Sequence, residues 1–476
     1  MSSSLKKKTL KGVIWSSIDR FSTAGINFAI GIVIARFLSP KEYGLIAMLS
    51  VFIALSQSVI DSGFSNALVR EQKLSEKDLS TTFYFNFVIG IIMYFILYIS
   101  APFIADFYNS LELIHITRII SLTLFIGSLS IVQQAILTKR LDFKSQTKIS
   151  LLSAVVSGFI GIYMAVTKWG VWALVGQTVS SSIIRLIMFW MIVKWFPKTR
   201  FSMDSFKTLF GYGSKLLLAG ILETIYRNLY VVIIGKYFQS SVLGLYSRGE
   251  QMASYPATNI TGVVQRVTFP ILSQIQDDDE RVKQSFFRIL KALSFFVFPL
   301  MIYLVIISKP LIILLLTSKW IECVPVIQIL SLSFMWYPVH ILNLNILQVK
   351  GRSDLYLRIE FIKKIIGLIV LVTTLPYGFL VMCWGRVLYC YLELFINMHY
   401  TNKLLNIRNL DQIKLFFPIL TYSFLMWLLI FPLTNFIKND LLSIIVTTVL
   451  CVSYWAFILL KIEKYSINEL VKFNKK

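Results

Sequence analysis

Long apolar segments recur along this chain of 476 residues and are separated by short polar stretches. Hydrophobic residues make up 56% of the sequence and charged residues only 15%, with a mean hydropathy of +0.72. A helix of about 20 apolar residues crosses the ~30 Å hydrocarbon core of a bilayer. The sequence therefore predicts an all-α integral membrane protein with about 14 transmembrane helices, near 11–37, 44–69, 79–105, 112–137, 147–167, 170–194, 208–236, 242–270, 285–308, 323–348, 355–375, 378–400, 413–435 and 441–461.

Basic residues outnumber acidic ones by 47 to 24, which gives a formal charge of +23. With the N-terminus placed in the cytoplasm, alternate loops hold about 30 Lys and Arg inside and about 7 outside, as the positive-inside rule requires. The loop 138–148 is a basic example and 106–115 is an outer loop poor in Lys and Arg. This pattern predicts an even number of helices with both termini cytoplasmic, and it argues against a nucleic-acid partner.

The connecting segments are short. None outside the predicted helices exceeds about 25 residues, which is too short for a folded domain. One apolar stretch, 309–320, is also too short to span the bilayer, and we expect it to lie in the membrane interface. The chain thus has no obvious soluble catalytic or sensor module.

Two segments 200 residues apart resemble each other. Residues 32–47 read IVIARFLSPKEYGLIA and residues 232–247 read VIIGKYFQSSVLGLYS, with three identities. Six helices per repeat would make the two halves parallel, as in transporters whose substrate path lies between homologous halves. We therefore predict an N-terminal lobe at 1–200 and a C-terminal lobe at 201–405 related by a parallel pseudo-two-fold repeat, followed by two additional helices and a basic cytoplasmic tail at 406–476.

Enzyme motifs are absent from the sequence. It contains no G-x-x-x-x-G-K-[ST] phosphate loop, no H-E-x-x-H and no G-x-S-x-G, and its three histidines are scattered. The four cysteines form no C-x-x-C pair, so we interpret them as buried thiols. We expect no enzymatic activity, no metal site and no cofactor.

Charged residues inside predicted membrane helices are functional candidates, because burying a charge in hydrocarbon is costly. Asp19 and Arg20 lie on the first helix and Asp61 on the second. Counted from the cytoplasmic ends, Arg20 and Asp61 lie at a similar depth of roughly 14 Å, so they could meet. A structural ion pair between the two helices is the alternative interpretation.

Four more charges lie on the seventh and eighth helices. Glu223 and Arg227 are four residues apart on one helix face and could bridge each other. Arg227 and Arg248 come from neighbouring helices at similar outer depth, and Glu250 follows Arg248 closely.

The twelfth helix carries Arg386 and Glu393, which are seven residues apart on one face and suit an internal pair. Arg118 and Arg185 lie within two to three turns of a membrane face, and we expect them to snorkel towards the headgroups.

Arginines exceed carboxylates within the predicted spans, which favours an anionic ligand, and the planar guanidinium suits phosphate oxygens. We assign diphosphate or sugar binding to Arg20, Arg227, Arg248 and Asp61. The remaining candidates for ion coupling, by sodium or a proton, or for charge pairing are Asp19, Glu223, Glu250, Arg386 and Glu393.

Three stretches resemble the bacterial polysaccharide-export flippases, the Wzx-like family of the multidrug/oligosaccharidyl-lipid/polysaccharide exporter superfamily. They are VIARFLSPKEYGLIAML (33–49), DSGFSNALVR (61–70) and the segment 228–278, which begins NLYVVIIGKYF. Many relatives have an Asp just before the VVIIG-like run, where this chain has Asn228, Leu229 and Tyr230.

The resemblance implies a flippase of the bacterial inner membrane that moves an undecaprenyl-diphosphate-linked oligosaccharide to the outer leaflet by alternating access. It also implies a role in making O-antigen, capsule or exopolysaccharide, with membrane lipid, the lipid-linked glycan, a polysaccharide polymerase and other pathway proteins as partners. A multidrug or metabolite exporter of the same fold, a membrane-embedded biosynthetic enzyme and a scaffold protein are the alternatives.

Overall fold

The computed structural model describes residues 3–61, 63–70 and 75–461, and within these ranges it contains helices and no strand. The α-helices are α1 (Ser3–Phe37), α2 (Pro40–Asp61), α3 (Phe64–Arg70), α4 (Glu76–Phe107), α5 (Leu113–Ile120), α6 (Leu122–Ser128), α7 (Ile131–Lys139), α8 (Phe143–Val166), α9 (Trp172–Val193), α10 (Met203–Arg227), α11 (Leu229–Tyr237), α12 (Ser240–Gln274), α13 (Asp279–Leu316), α14 (Cys323–Phe334), α15 (Tyr337–Val349), α16 (Ser353–Thr374), α17 (Phe379–Leu405), α18 (Asn409–Ile430) and α19 (Asp440–Lys461).

The all-α membrane architecture is confirmed. In the described ranges nine helices are long and apolar enough to cross a bilayer, and two bent helix pairs raise the number to eleven. The pairs are Leu113–Ser128 with Ile131–Lys139, bent by 43°, and Leu217–Arg227 with Leu229–Tyr237, bent by 44°. The number of fourteen spans stays a prediction, in part because α16 carries Arg358, Glu360, Lys363 and Lys364 within an otherwise apolar helix.

Helix α13 differs from the sequence prediction. It continues without a break through the stretch expected in the interface and ends at Leu316, so its 38 residues extend over about 57 Å. Pro310 and Ile312 are buried in this last part of the helix. Residues 309–316 thus prolong a membrane helix, and only a short 3₁₀ turn, Ser318–Trp320, follows it.

The chain divides into two compact units, Met1–Gly244 and Leu245–Lys476. In the first unit α8 packs along both α1 and α9. A Cβ atom added at Gly161 of α8 would lie 2.9 Å from the Cβ of Gln177 on α9, so the glycine permits this close approach. The division into lobes at 1–200 and 201–405, with the segment 406–476, stays a prediction.

The second unit is built around α13, which packs against α14, α15, α18 and α19. Its core includes Phe298, Trp336 and Phe416, whose ring centroids lie 5.0 to 6.1 Å apart. A polar contact joins α15 to α18, because Gln412 donates to Asn343 at 3.2 Å and both side chains are fully buried. The second unit therefore combines apolar packing with interhelical hydrogen bonds.

Candidate functional site

The charges predicted on the first two helices are Asp19, Arg20 and Asp61, and the structure describes the side chains of Asp19 and Asp61. The Thr23 hydroxyl donates to Asp19 one turn earlier on α1, at 3.3 Å. The side chain of Arg20 lies outside the described residues, so its pairing with Asp61 stays a prediction. Asp61 ends α2, and its Oδ1 atom is buried with no hydrogen-bond partner among the described residues. No described residue gives this oxygen the compensation that a buried carboxylate requires, which keeps Asp61 a candidate for a ligand or a cationic partner.

Glu223 and Arg227 lie on the last turns of α10, and both are exposed in the first unit. Helix α10 ends there, and the chain bends by 44° across Asn228 before α11 begins. The Asn228 side-chain amide donates to the Thr224 carbonyl at 2.8 Å and so covers one of the carbonyls at the end of the helix. A broken helix with exposed charges at membrane depth is typical of a water-lined path, because hydrocarbon solvates neither charges nor free backbone groups.

Arg248 lies on α12 in the second unit and is only 8% exposed. Its Nη1 atom donates to Gln251 at 2.7 Å, one turn further along the helix. Gly249 beside it packs closely on Val326 of α14. A guanidinium this well covered offers less surface to a ligand than the exposed Arg227 does.

Glu250 of α12 and Arg386 of α17 form an ion pair of 2.5 Å in the second unit. The same guanidinium nitrogen donates to the Tyr246 hydroxyl, and the group lies 5.3 Å from the centroid of the Phe334 ring. Seven residues place Glu393 about 10 Å further along α17 than Arg386, and Arg386 still acts on Glu393 through its charge; the pair within α17 stays a prediction. Each of the two residues also has an ion-pair partner on a different helix.

Glu393 pairs with Lys363 of α16, whose Nζ lies 2.8 Å from a Glu393 carboxylate oxygen. Lys363 is 2% exposed and also forms an ion pair with Glu360, one turn earlier. Lys363 is not among the residues predicted from the sequence, although its spacing of three residues from Glu360 is visible there. We refer to Glu360, Lys363 and Glu393 as the lysine cluster; with all three groups ionised, its formal charge is −1.

Buried His340 of α15 contacts α17, the helix that carries Glu393 of the lysine cluster. Its Nε2 lies 3.2 Å from the Cys390 sulfur, and its Nδ1 lies 3.2 Å from the Asn397 amide nitrogen. In the described part of the chain no three His, Cys, Asp or Glu side chains are grouped as metal ligands. This region therefore brings together groups that could exchange protons but offers no metal-binding set.

Comparison with known proteins places these features in a family. Residues 33–325 match the family described as "Polysaccharide biosynthesis protein". The chain belongs to this family. It is 28% identical over 357 residues to the teichuronic acid biosynthesis protein TuaB of Bacillus subtilis, which covers 74% of this chain and 73% of the relative. It is also 26% identical over 365 residues to the lipopolysaccharide biosynthesis protein WzxC of Escherichia coli, which covers 76% and 74% of the two chains.

The fold is shared with a flippase of known structure. The inward closed conformation of the lipid II flippase MurJ superimposes with a TM-score of 0.74 and 17% sequence identity, over 94% of this chain and 99% of that one. Together with the relatives, this likeness confirms the resemblance to polysaccharide-export flippases that the sequence indicated. This member of the family is a multi-pass membrane protein with a transporter fold.

Proposed function

We propose that this chain flips a polyprenyl-diphosphate-linked oligosaccharide from the cytoplasmic to the outer leaflet of the bacterial inner membrane. The observation that supports this most strongly is the match to a polysaccharide biosynthesis family over 33–325 in a chain that shares the fold of a lipid II flippase along 94% of its length. The proposal includes the topology expected from the loop charges, with both termini cytoplasmic, and a role in O-antigen, capsule or exopolysaccharide assembly.

The chemistry of such a substrate explains why a protein is needed. A diphosphate and several sugar hydroxyls cannot enter hydrocarbon unaided, because desolvating an ionised group costs up to tens of kcal/mol in the Born limit. A flippase must offer these groups water and cationic side chains while the polyprenyl chain stays in lipid. Arg227, exposed beside the break at Asn228, meets the second requirement.

The acidic side chains of the second unit favour an anionic over a cationic substrate. A cationic drug needs carboxylates that are free to receive it. Glu250 and Glu393 are instead paired with Arg386 and Lys363. These two paired carboxylates therefore do not favour the multidrug-exporter alternative, which would depend on Asp61 or Glu223 of the first unit.

The experiment uses the purified chain in sealed vesicles with a polyprenyl-diphosphoryl-glucosamine whose sugar amine carries the NBD fluorophore. Dithionite, which does not cross the bilayer, quenches only the probe in the outer leaflet. In vesicles with active protein we expect quenching of both leaflets at a rate set by flipping. Quenching identical to that of protein-free vesicles would contradict the proposal.

Two exposed residues of α10 provide a matched pair of variants. We expect Arg227→Ala to slow flipping at least tenfold, because a charge-assisted hydrogen bond contributes about 1.5–3 kcal/mol, while Leu222→Ala on the same helix retains the wild-type rate. Equal flipping rates for the two variants would show that Arg227 does not contribute to substrate binding.

A further inference from the structure

A polar cavity lies between α1, α8 and α9 of the first unit. Its volume is about 320 Å³, at the lower end of the 300–1,000 Å³ found for small-molecule sites. The described side chains that line it are all polar, namely Asn27, Ser157, Gln177, Thr178, Ser181, Ser182 and Arg185. We call it the polar pocket. Helices that merely packed against one another in a membrane would fill such a space with apolar or small side chains.

The sequence of α9 builds one wall of the polar pocket. Gln177, Ser181 and Arg185 are spaced by four residues, so they form a single stripe along the helix. Gly161 of α8 lets the helix carrying Gln177 approach closely. Asn27 of α1 also lines the pocket.

Donors and acceptors are both available in the pocket. The hydroxyl hydrogens of Ser157 and Thr178 are donated to carbonyls within their own helices, at 3.3 and 2.8 Å, which leaves oxygen lone pairs to accept. Asn27, Gln177 and Arg185 supply N–H donors, and none of the three side chains forms a hydrogen bond or ion pair with another described residue. A hydroxyl-rich molecule, which both donates and accepts, fits this combination.

The position of Arg185 changes its interpretation. Eight residues separate it from the end of α9 at Val193, or about 12 Å along the helix. Snorkelling of Arg185 stays a prediction, and the structure adds that Arg185 lines a cavity together with amides and hydroxyls that hydrocarbon would not solvate. Such a stripe fits water or a polar ligand, and the Arg185 guanidinium favours a ligand with a negative charge.

We propose that the polar pocket binds one sugar residue of the transported glycan, and that Arg185 selects a sugar bearing a carboxylate. This inference rests on the proposed flippase function and adds the substrate class to it. The amides and hydroxyls hold the ring hydroxyls, and the guanidinium pairs with the acidic group.

Binding to the full-length chain in nanodiscs tests the proposal with three short-chain polyprenyl diphosphates. The first carries no sugar, the second carries glucose and the third carries glucuronate. We expect Gln177→Leu to weaken binding of both sugar probes about three- to tenfold and to leave the sugar-free probe unchanged. We expect Arg185→Gln to weaken the glucuronate probe at least tenfold and the glucose probe far less. Ile183→Ala, on an exposed apolar position of α9, is the control and should change none of the three.

Two results would overturn the pocket proposal: equal weakening of all three probes, which indicates a structural role, or no change in any variant. If flipping of the NBD probe persists in either case, the proposed function stands without the pocket. If sugar-dependent binding is found but the wild-type chain flips nothing, the pocket stands and the proposed function fails.

Thiol labelling gives an independent measurement, because Cys323, Cys383, Cys390 and Cys451 are all buried and should contribute little background. A charged maleimide should modify Ser181→Cys, and the glucuronate probe should slow that reaction. Ile187→Cys, whose native residue is 51% exposed on α9 outside the pocket lining, should resist labelling in lipid. Labelling of Ile187→Cys without labelling of Ser181→Cys would overturn the proposal.

Discussion

Gly44 of α2 lies directly against the backbone of Ser240 at the start of α12, and a Cβ atom at Gly44 would overlap the Ser240 carbonyl oxygen. The equivalent contact occurs 200 residues on, where a Cβ atom at Gly244 would overlap the carbonyl oxygen of Pro40. Pro40 and Ser240 are also equivalent in the repeat. Reciprocal contacts of this kind are what a two-fold relation produces. The repeated glycine therefore serves close helix packing at this point.

The glycine contact predicts that Gly44→Ala destabilises the protein. The methyl group would force two backbones apart, and overpacking of this kind costs typically 1–3 kcal/mol. Thermal unfolding in detergent would measure the loss. Gly220→Ala is the control, because no atom lies within 4 Å of its added Cβ, and alanine in a helix interior should stabilise by roughly 0.5–1 kcal/mol. A lower unfolding temperature for Gly220→Ala than for Gly44→Ala would contradict this account.

The lysine cluster predicts a large effect for Lys363→Met. The side chain of Lys363 is 3% exposed, and its removal leaves Glu360 and Glu393 without their cation. Breaking a buried pair from one side destabilises by about 3–5 kcal/mol. Adding Glu393→Gln should recover part of that loss, as measured by the unfolding temperature of the double variant.

Lys403→Met is the matched control on α17, because Lys403 is exposed. Its effect should stay within about 0.5 kcal/mol. Equal stability of Lys363→Met and Lys403→Met would show that the cluster contributes nothing to folding.

A double-mutant cycle distinguishes the observed partner of Arg386 from the one expected from sequence. We predict a coupling of about 1–3 kcal/mol between Arg386→Ala and Glu250→Ala, which are in direct contact. Coupling between Arg386→Ala and Glu393→Ala should be smaller, because seven residues separate the two positions by about 10 Å along α17. Unfolding free energies of the single and double variants give both values, and the reverse order would contradict the structure.

Sequence patterns predicted the local features of this fold. In the described part of the chain the predicted apolar ranges lie within helices or runs of helices, to within two residues at their ends, because the length of an apolar run is a local property. The bend at Asn228 and the continuation of α13 through Lys309 were not predicted, since helix breaks and extensions depend on tertiary packing.

The charge partners could not be predicted in the same way. Arg386 pairs with a residue 136 positions away, and no local spacing indicates such a contact. The polar pocket likewise combines Asn27 of α1 with residues of α8 and α9 that lie 130 or more positions further along the chain. Single positions such as Arg185 were therefore visible in the sequence, while their surroundings were not.

The response of flipping to a membrane potential tests the central claim most directly, because it reports both movement of the lipid-linked glycan and the charge carried with it. A potential acts on a translocated anion with ~2.3 kcal/mol per charge per 100 mV. In sealed vesicles holding the wild-type chain and the NBD-labelled lipid, we predict that a potential positive on the destination side accelerates protein-dependent flipping and that the opposite potential slows it. Flipping no faster than in protein-free vesicles, at either sign of the potential, would contradict the account.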